Sequence, residues 1–398
     1  MDHFAVVQSL CRVGLATGDE QFRKQVERLR DRLEKADDAE GVQALEGLLQ
    51  ITQRSATLQP SRVELSRGTF GERLTASVNP PFDKESSAPL AQIIMEPGNE
   101  ALPPILTDEL EAALEAFLRE WADRDKLRTI GIEPAHSCLI FGAPGTGKSV
   151  MALHLAARLG LPVVLARLDG MMSSFLGTTA RNIGTLFEFA NRYQCILLLD
   201  EFDALAKLRD DPQEVGEIKR VVNTLLQSLD ARAPTGLTLA ITNHPGLLDP
   251  AIWRRFEVKI EMPLPPASAR ERLIMQFLAP MKVQESGLHL LTWASEGATG
   301  AEVRTIVNAL KRHFVLENSS SKTLCLEPSE VLSALQRYYV TSANLEERPR
   351  LSALREDPRS IARILLSSSG ESFTQFSVAQ LLGKDQATIS RWMKEEPA

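Results

Sequence analysis

The segment that most limits this chain is Gly142-Ala143-Pro144-Gly145-Thr146-Gly147-Lys148-Ser149. It follows the apolar run 138–141 and opens the stretch 149–158, whose apolar spacing is helical. A strand, a glycine-rich turn and a helix in that order point backbone N–H groups inward, and the helix adds the positive end of its dipole. Such a turn cradles phosphate oxygens. Lys148 is placed to reach the β- and γ-phosphates of a nucleotide and Ser149 to hold Mg²⁺ through its hydroxyl, and residues Gly142 through Val150 are the expected nucleotide-binding set.

A second feature fits the first. Residues 195–199 are five apolar residues in a row, followed by Asp200 and Glu201. A buried strand with two carboxylates at its C-terminal end places them where ligands bind in open α/β sheets. Asp200 is expected on the Mg²⁺ ion, and Glu201 is expected to orient and polarise an attacking water. Residues 237–242 form another strand, and Asn243 at its tip is within reach of a γ-phosphate or that water. Arg254 and Arg255 stand side by side before the last strand. A guanidinium suits a phosphate because its planar fork stays charged and bonds in pairs, although adjacent surface arginines are also common.

Between about 136 and 264, short apolar strands alternate with helical stretches. This predicts a parallel sheet covered on both faces. The fold class expected is α/β, a P-loop NTPase parallel-sheet core with a helical lid, plus all-α units at the N- and C-terminal ends. Residues 1–57 read as a helical adaptor for docking a partner or for oligomerisation. The prolines and serines of 58–100 read as a linker. The core is expected over 101–264, the lid over 265–342 and a last helical domain over 343–398.

Composition narrows the setting. The 45 Lys and Arg against 52 Asp and Glu give a net charge of −7, which disfavours holding DNA or an anionic membrane by bulk charge. The four cysteines are far apart, which argues against a zinc ribbon or a disulfide scaffold. No apolar run approaches the roughly 18 residues of a membrane span, and no secretory leader is read. A cytoplasmic protein is expected, with no membrane partner.

Taken together these residues resemble the AAA+ ATPases, in particular the AAA family of protein-remodelling machines, over roughly residues 98–340. The resemblance implies ATP and Mg²⁺ as cofactors and hydrolysis of ATP at a site shared between subunits. It makes Asn243 a sensor of the phosphate and places Arg254 and Arg255 on the ATP of the next subunit in a homo-oligomeric, hexameric ring. It does not choose between the two arginines. Gly131-Ile132-Glu133-Pro134 is similar to the family's adenine-side lead-in, which puts Ile132 beside the base. Gly300 and Ala301 resemble its lid signature near the adenine. Phe175, Leu176 and Gly177 resemble its pore loop, where a large apolar ring grips an extended protein substrate. Residues 207–220 resemble a second pore loop and equally read as a solvated charged face.

The tail resembles the DNA-binding helix-turn-helix family over residues 372–394. Ala379, Gly383 and Ile389 supply a small residue at a helix crossing, a turn glycine and a buried branched residue. DNA contact would then fall to Gln386, Ala387, Thr388, Ser390 and Arg391. Residues 345–398 carry eight Lys and Arg against eight Asp and Glu, where DNA binders are usually basic. A helical closure or protein-docking element is the alternative. The leading expectation is therefore a ring motor that remodels or unfolds proteins, with a DNA-recruited ATPase as the second reading.

Overall fold

The structure is a computed structural model that describes residues 26, 28–33, 45, 71–99, 103–171, 176–206, 215–317, 325–341, 348–368 and 373–395. The chain divides into two units, residues 1–71 and 72–398. In the first, residues 26, 28–33 and 45 are helical, and Val26, Leu33 and Leu45 are buried. The rest of the adaptor expected over 1–57 lies outside the described residues.

The second unit begins with β1 (Glu72–Arg73) and β2 (Ala91–Ile94), then α1 (Asp108–Ala122), α2 (Arg124–Thr129), β3 (Ser137–Phe141) and α3 (Lys148–Leu159). There follow β4 (Val163–Ala166), α4 (Leu168–Met171), α5 (Leu176–Arg192), β5 (Tyr193–Gln194) and β6 (Ile196–Leu199). Next come α6 (Asp203–Ala206), α7 (Val215–Asp230), β7 (Leu237–Thr242), α8 (Pro250–Trp253) and β8 (Val258–Glu261). The helical half is α9 (Ala267–Leu278), β9 (Lys282–Val283), α10 (Glu285–Ala294), α11 (Gly300–Glu317), β10 (Cys325–Leu326) and α12 (Pro328–Thr341). It ends with α13 (Pro349–Ala353), α14 (Pro358–Ser367), α15 (Gln375–Leu382) and α16 (Gln386–Lys394).

Six strands form one sheet in the order β2-β4-β6-β7-β3-β8. All neighbours run parallel except β2 on β4. Alternate strand residues serve two different cores, as the period of two requires. Leu139, Leu197, Leu199 and Ala240 face one helical layer, and Cys138, Ile140, Ile196, Leu198, Leu239 and Ile241 face the other. Burial on both faces explains why these strands read as unbroken apolar runs. Each fully buried Leu or Ile contributes about 1.5–3 kcal/mol.

The register sets the functional rim. Leu199 lies opposite Ala240 and Phe141 opposite Thr242. The residues just past the ends of β3, β6 and β7 therefore emerge at one edge.

Two expected boundaries are corrected. The stretch read as a linker over 58–100 is built into the core in its described part. Strand β2 pairs antiparallel along the outer side of β4, and Leu90, Ala91 and Ile94 are buried. Its prolines close a turn rather than free the chain: Asp83 N–H donates to Ala88 O and Leu90 N–H to Pro81 O. The proline-free residues 91–94 are then left to satisfy the open edge of the sheet.

The lid and the C-terminal domain expected from 343 onward do not have separate cores. One apolar cluster runs from Ile274, Leu290, Trp293 and Val331 through Leu351, Ile361, Leu365 and Phe373 to Val378 and Ile389. Trp293 Nε1–H donates to Ser368 Oγ at 3.0 Å, and Ser286 Oγ–H donates to Gln380 Oε1 at 3.1 Å. With 10, 8 and 9 residues, α14, α15 and α16 are too short to bury their apolar sides among themselves. Within that cluster α15 and α16 meet across a turn at Gly383, whose φ of +59° suits glycine, and Ala379 and Ile389 are buried. Among the described residues no helix is long and apolar enough to cross a membrane.

Candidate active site

The glycine-rich loop joins β3 to α3. Gly147 is the N-cap of α3 with φ +98°, a conformation that an L side chain resists, and no side chain caps the helix. The first N–H groups of a 12-residue helix are thereby left to face a ligand. Gly145 is needed for a different reason. A Cβ there would meet the Ala301 Cβ and the Thr299 Oγ1 at 2.9 Å, and its carbonyl accepts from the Ala301 N–H at 3.1 Å. The loop and the N-terminus of α11 are in direct contact.

Lys148 is buried, and its Nζ donates to Gly142 O at 3.0 Å and Ala143 O at 2.7 Å. Burial pushes its pKa down, and the nearby Asp200 and Asp203 pull partly back. Ser149 Oγ–H donates to Asp200 Oδ2 at 2.9 Å. A hydroxyl and a carboxylate converging from α3 and β6 are hard oxygen donors suited to Mg²⁺, which usually takes few protein ligands beside substrate oxygens and water. Among the described residues no group of three or more His, Cys, Asp or Glu could hold a metal by itself.

Glu201 is exposed and has φ +52°, an uncommon conformation for a residue with a side chain. Its N–H donates to Asp200 Oδ1 at 2.8 Å.

These residues border a cavity of about 830 Å³. Its lining includes Pro144 through Val150, Asp200, Glu201 and Asn243 at one end. Leu273, Phe277, Gly300, Ala301 and Arg304 line it from the helical half. The volume falls in the range of small-molecule sites, about 300–1,000 Å³.

Ile132 is not part of it. It is 53 % exposed, in the turn before β3 and so at the opposite end of that strand from the loop. The apolar wall comes instead from Pro103, Pro104, Ile105 and Leu106, just ahead of α1. The signal available in sequence was an apolar pair directly before the helix cap Thr107, whose Oγ1 accepts from the Leu110 N–H.

Arg254 and Arg255 lie outside this cavity and differ from one another. Arg255 donates from Nε and Nη2 to the two carboxylate oxygens of Asp230 at 2.7 and 3.0 Å. That pairing holds the Asp230 carboxyl below its usual range and raises Arg255. Arg254 is exposed and makes no ion pair among the described residues. Phe175 lies outside the described residues, while the backbone of Leu176 and Gly177 opens α5. Asp203, which sequence reading did not single out, bonds to Thr242 and Asn243.

A largely parallel sheet with a phosphate-type loop, a paired carboxylate strand and a polar strand tip on one rim defines the P-loop NTPase fold. More narrowly, residues 138–264 match the model of the ATPase family associated with various cellular activities (AAA). An uncharacterized AAA family ATPase, y4kL, of Sinorhizobium fredii (strain NBRC 101917 / NGR234) is 43 % identical over 161 residues, 40 % of this chain and 49 % of that protein. A proteasome-activating nucleotidase of Saccharolobus islandicus (strain Y.N.15.51 / Yellowstone #2) is 32 % identical over 227 residues, 55 % of this chain and 57 % of its own. One of Thermococcus onnurineus (strain NA1) is 33 % identical over 205 residues, 50 % and 51 % of the two chains. The chain thus spans about half the length of the curated relatives it matches. The crystal structure of the FIGL-1 AAA domain shares the fold, with a TM-score of 0.51 at 20 % identity over 69 % of this chain and 94 % of that one.

Proposed function

We propose that this chain hydrolyses ATP in a homo-oligomeric ring, expected to be hexameric, and uses the cycle to remodel or unfold a protein substrate. The observation that carries the reading is the convergence of Lys148, Ser149, Asp200, Glu201 and Asn243 on one end of a nucleotide-sized cavity. The loop N–H groups and Lys148 bind the phosphates. Ser149 and Asp200 hold Mg²⁺, which supplies charge neutralisation to the phosphate oxygens when bound. Glu201 takes a proton from the attacking water, and Asn243 orients it. Gly300, Ala301, Ile105 and Leu106 enclose the base. Arg254, whose guanidinium is not engaged by Asp230, reaches the neighbouring subunit's γ-phosphate. Relatives named for activating a proteasome support a protein substrate, handled by the loop at Phe175, Leu176 and Gly177. A cytoplasmic setting and a docking role for residues 1–57 complete the reading.

The test is a pair of variants. Lys148→Ala is expected to lose nucleotide binding. Glu201→Gln is expected to keep binding and lose turnover by about 100-fold or more, trapping an ATP-bound assembly. Normal turnover by Glu201→Gln would sink the assignment. Mixing Glu201→Gln with Arg254→Ala subunits is expected to restore part of the activity.

A second reading attaches to α15 and α16. Their buried Ala379 and Ile389 leave Gln386, Ala387 and Arg391 exposed on one helix, the arrangement that DNA readout through residues 372–394 needs. Its test is a gel shift with duplex DNA using the full chain and Arg391→Glu; no salt-dependent shift with the unaltered chain ends it. The balanced charge of this segment, and relatives named for proteins, favour the first reading.

A further inference from the structure

We propose that Asp203 and Thr242 form a positioning pair that fixes Asn243 relative to Glu201, so that the two groups acting on the water are held by one hydrogen-bonded strut. The proposal rests on the roles given above to Glu201 and Asn243, and extends the machinery to two residues that do not line the cavity.

The backbone makes the strut necessary. After β6 the chain passes through Glu201 in the left-handed region, at φ +52°, and begins α6 at Asp203. That sharp reversal turns Asp203 back toward β7. Its Oδ1 accepts from Thr242 Oγ1–H at 2.9 Å and from the Asn243 N–H at 3.3 Å. Thr242 is fully buried, and its Oγ1 in turn accepts from the His244 N–H at 3.0 Å. One residue earlier, the Phe202 N–H donates to Ile241 O at 2.8 Å.

Residues 202 and 203 are thus stitched to 241, 242 and 243 beyond the point where the regular pairing of β6 with β7 ends, at Leu199 opposite Ala240. A buried hydroxyl that both donates and accepts leaves Thr242 little freedom, because an unmade bond at a buried site is costly. The Asp203 carboxylate accepts these hydrogen bonds from the β7 side. Both bonds reach the strand tip that carries Asn243.

Chemistry gives the strut its purpose. A water held between a base and an orienting amide reacts only when both are placed within a few tenths of an ångström, and a misplacement of about 1 Å can cost about 100-fold. Asn243 sits on a strand exit and Glu201 on a strained turn. Neither would keep its position by itself.

The test measures ATP turnover, KM and fluorescent-nucleotide affinity on the full chain. Thr242→Val replaces the hydroxyl with a methyl group and deletes the central bond. It is expected to lower kcat by about 10- to 100-fold with KM and nucleotide affinity changed less than about threefold. Thr242→Ser keeps the hydroxyl and is expected to stay within about threefold of the unaltered chain in kcat. Asp203→Ala, at a half-buried position, is expected to repeat the kcat loss and serves as the second variant if Thr242→Val folds poorly. An unchanged kcat in both Thr242→Val and Asp203→Ala would overturn the proposal. So would a loss of nucleotide affinity parallel to the loss of kcat, which marks a structural role only. Running Glu201→Gln alongside separates the two levels. If it loses turnover while the strut variants do not, only the strut fails; if it keeps turnover, the reading of the site fails and the strut with it.

Discussion

Leu199 and Trp293 are buried to nearly the same degree, at 1 % and 2 % exposure, yet they are held in different ways. Leu199 sits in a strand whose register with β7 is set by backbone bonds, and the residue after it, Asp200, is already at the candidate site. Trp293 is held by pieces far apart in the chain. Its ring meets Phe373 edge-on at 6.4 Å, its indole N–H reaches Ser368, and the Arg350 guanidinium lies 5.2 Å from its centre. In the sheet, core and chemistry are one residue apart and locally determined. In the helical half, the core is closed by contacts between distant segments, as the 75-residue separation of Trp293 and Ser368 illustrates.

The largest effect that tests this contrast comes from removing residues 345–398. If the tail were a detachable domain, the lid would survive. With one shared cluster, the deletion strips cover from Trp293, Val331 and Leu335 and removes Leu351, Ile361, Leu365 and Ile389. Losing the burial of even four such side chains costs about 6–12 kcal/mol, comparable to the whole stability of a domain, about 5–15 kcal/mol. The truncated chain is expected to lose its cooperative thermal transition for the helical half and to bind nucleotide poorly. A truncated chain with an unchanged melting profile and nucleotide affinity would restore the boundary at 342. Glu201→Gln is the counterpart at the rim, where turnover falls while the melting temperature stays.

The same contrast explains what sequence could show. The loop from Gly142 to Ser149 and the pair Asp200-Glu201 were legible because one short segment specifies both backbone and chemistry. The sheet was legible because strands buried on both faces read as apolar runs. Strand β2 was hidden, since its prolines lie just outside four residues with no strong pattern of their own. Ile132 came from the resemblance of residues 131–134 to a family pattern; its place ahead of β3 puts it at the end of that strand away from the loop, while Ile105 and Leu106, further back in the chain, line the cavity. Asp203 was hidden for a related reason: its partners Thr242 and Asn243 are 39 and 40 residues away. The two arginines looked equivalent until Asp230, 25 residues upstream, was seen to engage Arg255.

The smallest expected effect sits at the junction of the two regions. Thr299 and Glu302 form a reciprocal cap on α11: the Thr299 N–H donates to Glu302 Oε2 at 2.7 Å, and the Glu302 N–H donates to Thr299 Oγ1 at 3.3 Å. Arg348, just ahead of α13, pairs with the same Glu302 and donates to Glu296 O. Burial pushes the Glu302 pKa up, but the Thr299 N–H and the Arg348 guanidinium outweigh it and hold the carboxyl below its ordinary value. A carboxyl depressed in the folded state contributes stability that is full above its unfolded pKa, about 4.3, and is lost as pH falls through the folded value. Because the pair is partly exposed, its contribution is about 1 kcal/mol or less. The difference in melting temperature between the unaltered chain and Glu302→Gln is therefore expected to be present at pH 7 and to close as pH drops below about 4. Gly300 and Ala301 lie inside this cap and line the cavity, so nucleotide affinity is expected to weaken slightly in Glu302→Gln at neutral pH. A melting difference that stays constant from pH 7 to pH 3 would mean that Arg348 and Glu302 do not join the tail to the nucleotide wall.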